Sequence, residues 1–450
     1  MRGIHTMKAC SIATIAGATL AMTIAQSSYG QSRQIPAPVQ SKTVIIHDAT
    51  IHTVSGKTIA NGYVSFANGV ITDIGEGQPP QTDGAILRDA AGLHVYPGLI
   101  AADTNLGLTE TGAVDVTHDF DEFGNFTPEA RAVIAINPDS ELLPVARANG
   151  ILTALTNPSG GLVSGRCSII RLDGWTWEDL AINDNAGLVV NWPRTDPFGG
   201  RRFFRRRSNP EDFKKQLEKN LLEIEKLFDE SLAYAQAKEA DAELETDLRF
   251  EAMRPFVLGE KSIFVHASST GQIESAVAWA QRRGLKIIIV GGTQADRVTS
   301  LLVEYDIPVI IGGLHRLPGA RHADYDEAFK LPLNLHEAGV RFCLASGAGA
   351  AHERNLNHVA ATSAAYGLDR DVALKSVTLY AAEILGIGET HGSIETGKAA
   401  TLIVTSGDPL EITTDVILAF IDGREIDLGN RHKALYEKYR EKYRQLGLID

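Results

Sequence analysis

Two polar side chains, Asp103 and Asn105, stand two residues apart at the end of an otherwise apolar run, PGLIAADTN from Pro97 to Asn105. On an extended strand that spacing sends both side chains to one face. A carboxylate beside an amide oxygen suits a hard cation such as Mg²⁺, Mn²⁺ or Ca²⁺ better than an imidazole-rich zinc site. His266, in IFVHA, ends a comparable strand-like run and could join them on one divalent ion, with Asp103 as general base. That triad is short of ligands unless substrate or another side chain completes it. Glu110, Asp115 and His118, in the acidic loop TETGAVDVTHDFDEFG, are the nearby candidates. The competing reading leaves the loop solvated, Asp103 a simple hydrogen-bonding group, and no metal bound. His315 and Arg316 form a second polar pair, suited together with Asn105 to binding substrate; the histidine and arginine would orient a carboxylate by charge-assisted hydrogen bonds.

The elements that must position these residues are legible from periodicity. The centre of the chain alternates strand-like and helix-like stretches, the pattern of a parallel sheet wrapped by helices. Candidate strands are Val95–Asp103, Ile151–Asn157, Ser168–Leu172, Leu188–Trp192, Ile263–His266, Ile287–Val290, Val309–Ile311 and Phe342–Ala345. Eight such strands close an α/β barrel of the (β/α)8, TIM-like kind, with its site at the strands' C-terminal ends. Thr43–Gly75, Gly392–Val404 and Val416–Ile426 carry a different grammar, alternating β-branched and polar residues with Gly and Asn turns. They predict a small β-sandwich built from both chain ends. Asn209-Pro210-Glu211-Asp212 reads as a helix start, followed by apolar residues from Phe213 to Leu232 at helical spacing.

PGLIAADTN closely resembles the Pro-Gly-Leu-Ile-Asp-x-His-x-His signature of the amidohydrolase superfamily, and GSIETGK resembles that family's usual ending. INPDSELLPVARANGILTAL and GLVSGRCSIIRLDG look like its imidazolonepropionase-like branch of metal-dependent hydrolases. The resemblance runs from about Thr43 to Ile426. It implies hydrolysis of carbon–nitrogen, non-peptide bonds of a small substrate by a metal-activated water. It also implies metal ligands at Asp103, Asn105, His266, Gly291 and Gly347, where the family has histidines and a final Asp. Only His266 keeps the family's residue type. Two functions therefore stand open. One is a hydrolase with a degenerate site, binding one divalent ion or none. The other is a non-catalytic pseudo-amidohydrolase that binds a small ligand or serves as partner subunit of an intact amidohydrolase.

The remaining features set the context. The formal charge of −13 argues against nucleic-acid binding. Arg2 and Lys8, the apolar run Ala9–Ala25 and Ser28-Tyr29-Gly30 predict a cleaved signal peptide, hence export to the periplasm or beyond with no stable membrane anchor. Cys167 and Cys343 lie in apolar runs and read as core thiols. The basic run Arg201–Arg207 reads as a solvated loop, NPSGGLVSG as a turn rather than a phosphate cradle, and His352 and His358 as helix-surface residues. The expected organisation is a leader over 1–30, a linker over 31–42, sandwich over 43–94, barrel over 95–390 with a helical insertion at about 209–250, sandwich again over 391–428, and a C-terminal helix over 429–450. That helix, with Leu435, Tyr436, Tyr439 and Tyr443 at near-helical spacing, is expected to dock on the protein or on another subunit of a homo- or hetero-oligomer.

Overall fold

The computed structural model describes residues 32, 34–196, 209–319 and 323–450. The predicted leader and the Arg201–Arg207 run lie outside the described residues. The alternating N-terminal segment folds into β1 (Val44–Ile51), β2 (Ile59–Ala67) and β3 (Val70–Glu76), antiparallel in register Ile46↔Val64 and Val64↔Ile74. β4 (Ile86–Asp89) and β5 (His94–Pro97) run parallel to the two halves of β1. Gly98 then lets the chain leave this sheet. A Cβ there would lie 2.7 Å from the Leu152 side chain, so no larger residue passes. The predicted strand Val95–Asp103 is thereby two strands in two sheets, the second being β6 (Leu99–Thr104).

β6 opens an eight-stranded barrel-like sheet with β7 (Ile151–Thr156), β8 (Val163–Arg171), β9 (Ala181–Asn191), β10 (Ile263–Ala267), β11 (Ile287–Gly291), β12 (Val309–Ile311) and β13 (Phe342–Leu344). The strands follow one another in chain order, and the gap between β13 and β6 is narrowed by backbone bonds from Ile100 to Val377 and from Leu344 to Ser376. The regular parallel alternation expected from sequence is corrected at one strand. β8 runs antiparallel to both β7 and β9, while the other neighbouring pairs are parallel. The connections explain it. Only residues 157–162 and 172–180 join β8 to its neighbours, too short for the crossover of about a dozen residues that a parallel strand requires. Val163 and Ser164, at the start of β8, therefore reach the same end of the barrel as the C-termini of the other strands.

Ile100, Ala102, Leu155, Cys167, Val189 and Phe264 belong to one buried cluster that fills the barrel, with Ile288, Val290, Ile310, Cys343 and Ala345 opposite. Both described cysteines are thus free core thiols. A larger cluster joins the outer strand faces to the helices. The Pro210–Ala240 helix starts where predicted, with the Asn209 side chain accepting from the Glu211 N–H at 3.2 Å. It packs through Phe228, whose ring meets Trp279 edge-on at 4.8 Å.

β14 (Leu402–Thr405), β15 (Val416–Ile421) and β16 (Arg424–Glu425) return to the first sheet, where β14 pairs with β5. Both ends of the described chain therefore share a sheet of order β16-β15-β14-β5-β1-β2-β3, with β4 beside β1. A buried charge cluster ties that sheet to the barrel. The Asp173 carboxylate accepts from Arg147 and from the Ala37 N–H at 3.0 Å, and pairs with Arg424 at 3.2 Å.

Candidate functional site

Side chains alternate across a strand, so the barrel-facing series of each strand can be followed to its end. Asn157 lies two residues past Leu155, Asn191 two past Val189, and His266 two past Phe264, which turns all three into the mouth. Asp103 follows an irregularity between Ala101 and Thr104 and accepts from Asn157 Nδ2 at 2.6 Å. Burial, and behind it the charge of Asp103, pushes the Cys167 and Cys343 thiols up. Asn191 Nδ2 donates to Ser164 Oγ at 2.8 Å and to the Gly160 and Gly161 carbonyls, both at 3.1 Å. The NPSGG run is accordingly a turn pinned by this amide. Two buried atoms here have no partner in the protein, His266 Nε2 and Asn157 Oδ1. Such atoms are costly to leave unpaired and mark where a ligand or water would bond.

The β11–β13 half of the mouth is glycine. A Cβ built on Gly312 would lie 3.9 Å from the Cα atoms of both Gly291 and Gly347, so three strand ends meet backbone to backbone. A Cβ on Gly347 would stand 2.1 Å from the Gly313 nitrogen, with the residue at φ +63°. A Cβ on Gly291 would meet Ser268 Oγ at 2.8 Å. Of the two positions to which the family resemblance assigns a histidine and an aspartate, Gly347 is closed by backbone unless the loops move, whereas Gly291 faces a serine hydroxyl that can turn aside and is restricted by its φ of +92°.

Asn105 is also committed. Its Oδ1 accepts from the Ala350 N–H and its Nδ2 donates to Thr109 Oγ1, both at 3.0 Å, so it braces the loop after β13. Glu110 turns away, toward Asn137 and the Glu141 N–H. Asp115 is fully exposed, and His118 stacks on Phe120. His315 shares a 2.9 Å hydrogen bond with Thr362, and burial beside His315 holds His358 below the ordinary imidazole range. Arg316 donates to the carbonyls of Gly313 at 3.1 Å and Thr293 at 3.0 Å, a staple between the loops after β11 and β12. Those donors are not available to clamp a substrate carboxylate. Among the described residues, the one group of three His, Cys, Asp or Glu able to share an ion is His47, Asp48 and Asp89, on the two-ended sheet. Asp103 and His266 thus gain no third such ligand at the mouth, and the family's metal set does not fit the residues present.

Glu353 was missed by sequence reasoning because it follows His352 in a run that looked like helix surface. It is buried, its Oε2 accepts from Ser346 at 2.9 Å, and its Oε1 is unpartnered. Burial pushes its carboxyl up to about 7, aided by the charge of Asp103 and opposed by the Thr104 and Ser346 hydroxyls. Because the folded value lies above the ordinary 4.5, the stabilising contribution is full below about pH 4.5 and lost as pH rises through 7. Glu353→Gln is expected to flatten that slope and to gain roughly 2–3 kcal/mol over the parent at about pH 8 relative to about pH 5. Urea unfolding at both pH values checks it; an unchanged difference would mean that Glu353 titrates as an ordinary surface acid.

The comparisons with known proteins agree with this architecture. An amidohydrolase family model matches residues 316–426. The chain is similar to Amidohydrolase tasK of Hapsidospora irregularis, 23% identical over 410 residues, with 80% of this chain and 39% of that protein covered. It therefore spans about two fifths of that curated relative's length. Its structure is similar to an amidohydrolase from Thermotoga maritima MSB8, with TM-score 0.75, 26% identity and coverage of 85% and 99%. Molinate hydrolase shares the fold at TM-score 0.54 and 15% identity, covering 86% of this chain and 95% of its own. With the opening strand, the barrel and the two-ended sheet in place, these likenesses point one way: the chain resembles the amidohydrolase superfamily in sequence and in fold.

Proposed function

We propose that this barrel binds a small amide- or urea-like ligand at its mouth without the metal-activated water of its superfamily, as a pseudo-amidohydrolase or as partner subunit of an intact one. The observation that carries this reading is the Gly347–Gly313 contact, which leaves no volume for the last ligand of a metal centre. Asp103, Asn157 and His266 supply what such a ligand needs. The carboxylate and the free Asn157 oxygen accept from N–H groups, and His266 Nε2 faces a carbonyl or an amide nitrogen according to its tautomer. Export through the N-terminal leader, and the two-ended sheet as the family's β-sandwich, belong to the same proposal.

The unpartnered His266 Nε2 favours a second reading, a carbon–nitrogen hydrolase in which Asp103 is general base and His266 holds the scissile group. Metal analysis of unchelated protein, with turnover on a panel of amides and cyclic ureas, separates the two. The first reading expects well under one ion per chain, an ion content that His266→Ala leaves unchanged, and thermal stabilisation by ligand without turnover that the same substitution weakens. Close to one ion per chain, lost in His266→Ala and accompanied by hydrolysis, would sink it.

A further inference from the structure

We infer that the C-terminal helix, Arg431–Gln445, is a docking arm for a second copy of this chain, seated on the acidic loop 109–124 beside that copy's barrel mouth. The helix has a defined start, since the Asn430 side chain accepts from the His432 and Lys433 N–H groups at 2.9 and 3.1 Å. Yet none of its residues is buried. Tyr436, Tyr439 and Tyr443 recur at helical spacing on its exposed surface, Tyr436 at 64% exposure, and Leu446, Leu448 and Ile449 extend the apolar material beyond it. A 15-residue helix that buries none of its residues is marginal in water, so its stability calls for a cover.

Charge selects the cover. The helix carries six Lys and Arg against two Glu, in a chain whose formal charge is −13. Glu437 and Glu441 already pair with Arg440 and Arg444, which leaves Arg431, Lys433, Lys438 and Lys442 facing solvent. The loop offers the complement: exposed Asp115, Asp119, Asp121 and Glu122, interleaved with exposed Val116 and Phe123, the latter at 104%. Apolar side chains meeting apolar ones inside opposite charges is the pattern of a specific interface. When each copy gives its helix and receives the other's, the contact is closed and two-fold, which doubles the buried area. An anionic lipid surface would also attract the helix, but the strongly acidic remainder of the chain opposes it.

The test is the mass of the purified full chain in solution, by light scattering and sedimentation at low and high salt. A dimer that weakens at least tenfold with salt is expected. Lys438→Glu/Lys442→Glu and, separately, Asp119→Lys/Glu122→Lys should each be monomeric, with unchanged thermal unfolding. Mixing the two variants should restore a dimer, because both reciprocal contacts then regain opposite charges. A monomeric parent chain, a dimer that survives removal of residues 431–450, or a mixture that stays monomeric would each overturn the inference. So would pelleting of the parent chain with phosphatidylserine vesicles while it remains monomeric without them.

Discussion

Gly347→Asp, the substitution that would place a carboxylate where the family resemblance expects one, is expected to damage the protein rather than repair it. The new Cβ would stand 2.1 Å from the Gly313 nitrogen, and the residue sits at φ +63°, where a side chain is strained in any case. Backbone, unlike a side-chain tip, cannot rotate away, so the loops after β12 and β13 must separate. Overpacking and backbone strain together are expected to cost about 3 kcal/mol or more. Gly347→Ala carries the same steric conflict without the charge and should lose a similar amount. Calorimetric unfolding of both variants, with metal content measured on each, decides the matter. An Asp variant that melts with the parent chain and gains close to one ion would show that the mouth is an ordinary metal site lacking one ligand.

Asp173→Ala is expected to cost about 3–5 kcal/mol, the range for removing one partner of a buried ion pair. The Arg147 and Asp173 side chains are 6% and 3% exposed, so the arginine left behind has no solvent to turn to. Burial already lowers the Arg147 pKa, and Asp173 is the main group opposing that shift. Arg424 loses its carboxylate partner too, and the Ala37 N–H its acceptor, so the N-terminal segment and β16 should loosen together. Equilibrium urea unfolding measures the loss. A change below about 1 kcal/mol would place the cluster among surface pairs that water can replace.

Several elements of the fold were legible because they rest on local rules. The Asn209-Pro210 helix start, the run of β10 and the alternating strands of both termini follow from capping and periodicity, which act over a few residues. The reversal of β8 is encoded as locally, in the short connections on either side of it, whereas strand periodicity is blind to direction. The division of Val95–Asp103 between two sheets was not legible, because it depends on Leu152 approaching Gly98 from a distant part of the chain.

The site divides in the same way. PGLIAADTN and IFVHA, read by themselves, carried the resemblance to the superfamily and marked Asp103 and His266 as residues at the barrel mouth, since strand period and strand end set where they point. What each polar group does there was settled by tertiary structure alone. Asn105 spends its oxygen on the Ala350 N–H, Arg316 spends donors on two carbonyls, and Glu353 enters the site from a helical turn far along the chain. Glycine in a sequence reports only a missing side chain. Whether that leaves an empty cavity or a closed backbone contact depends on which strands meet, and at Gly347 they meet too closely for a ligand to return.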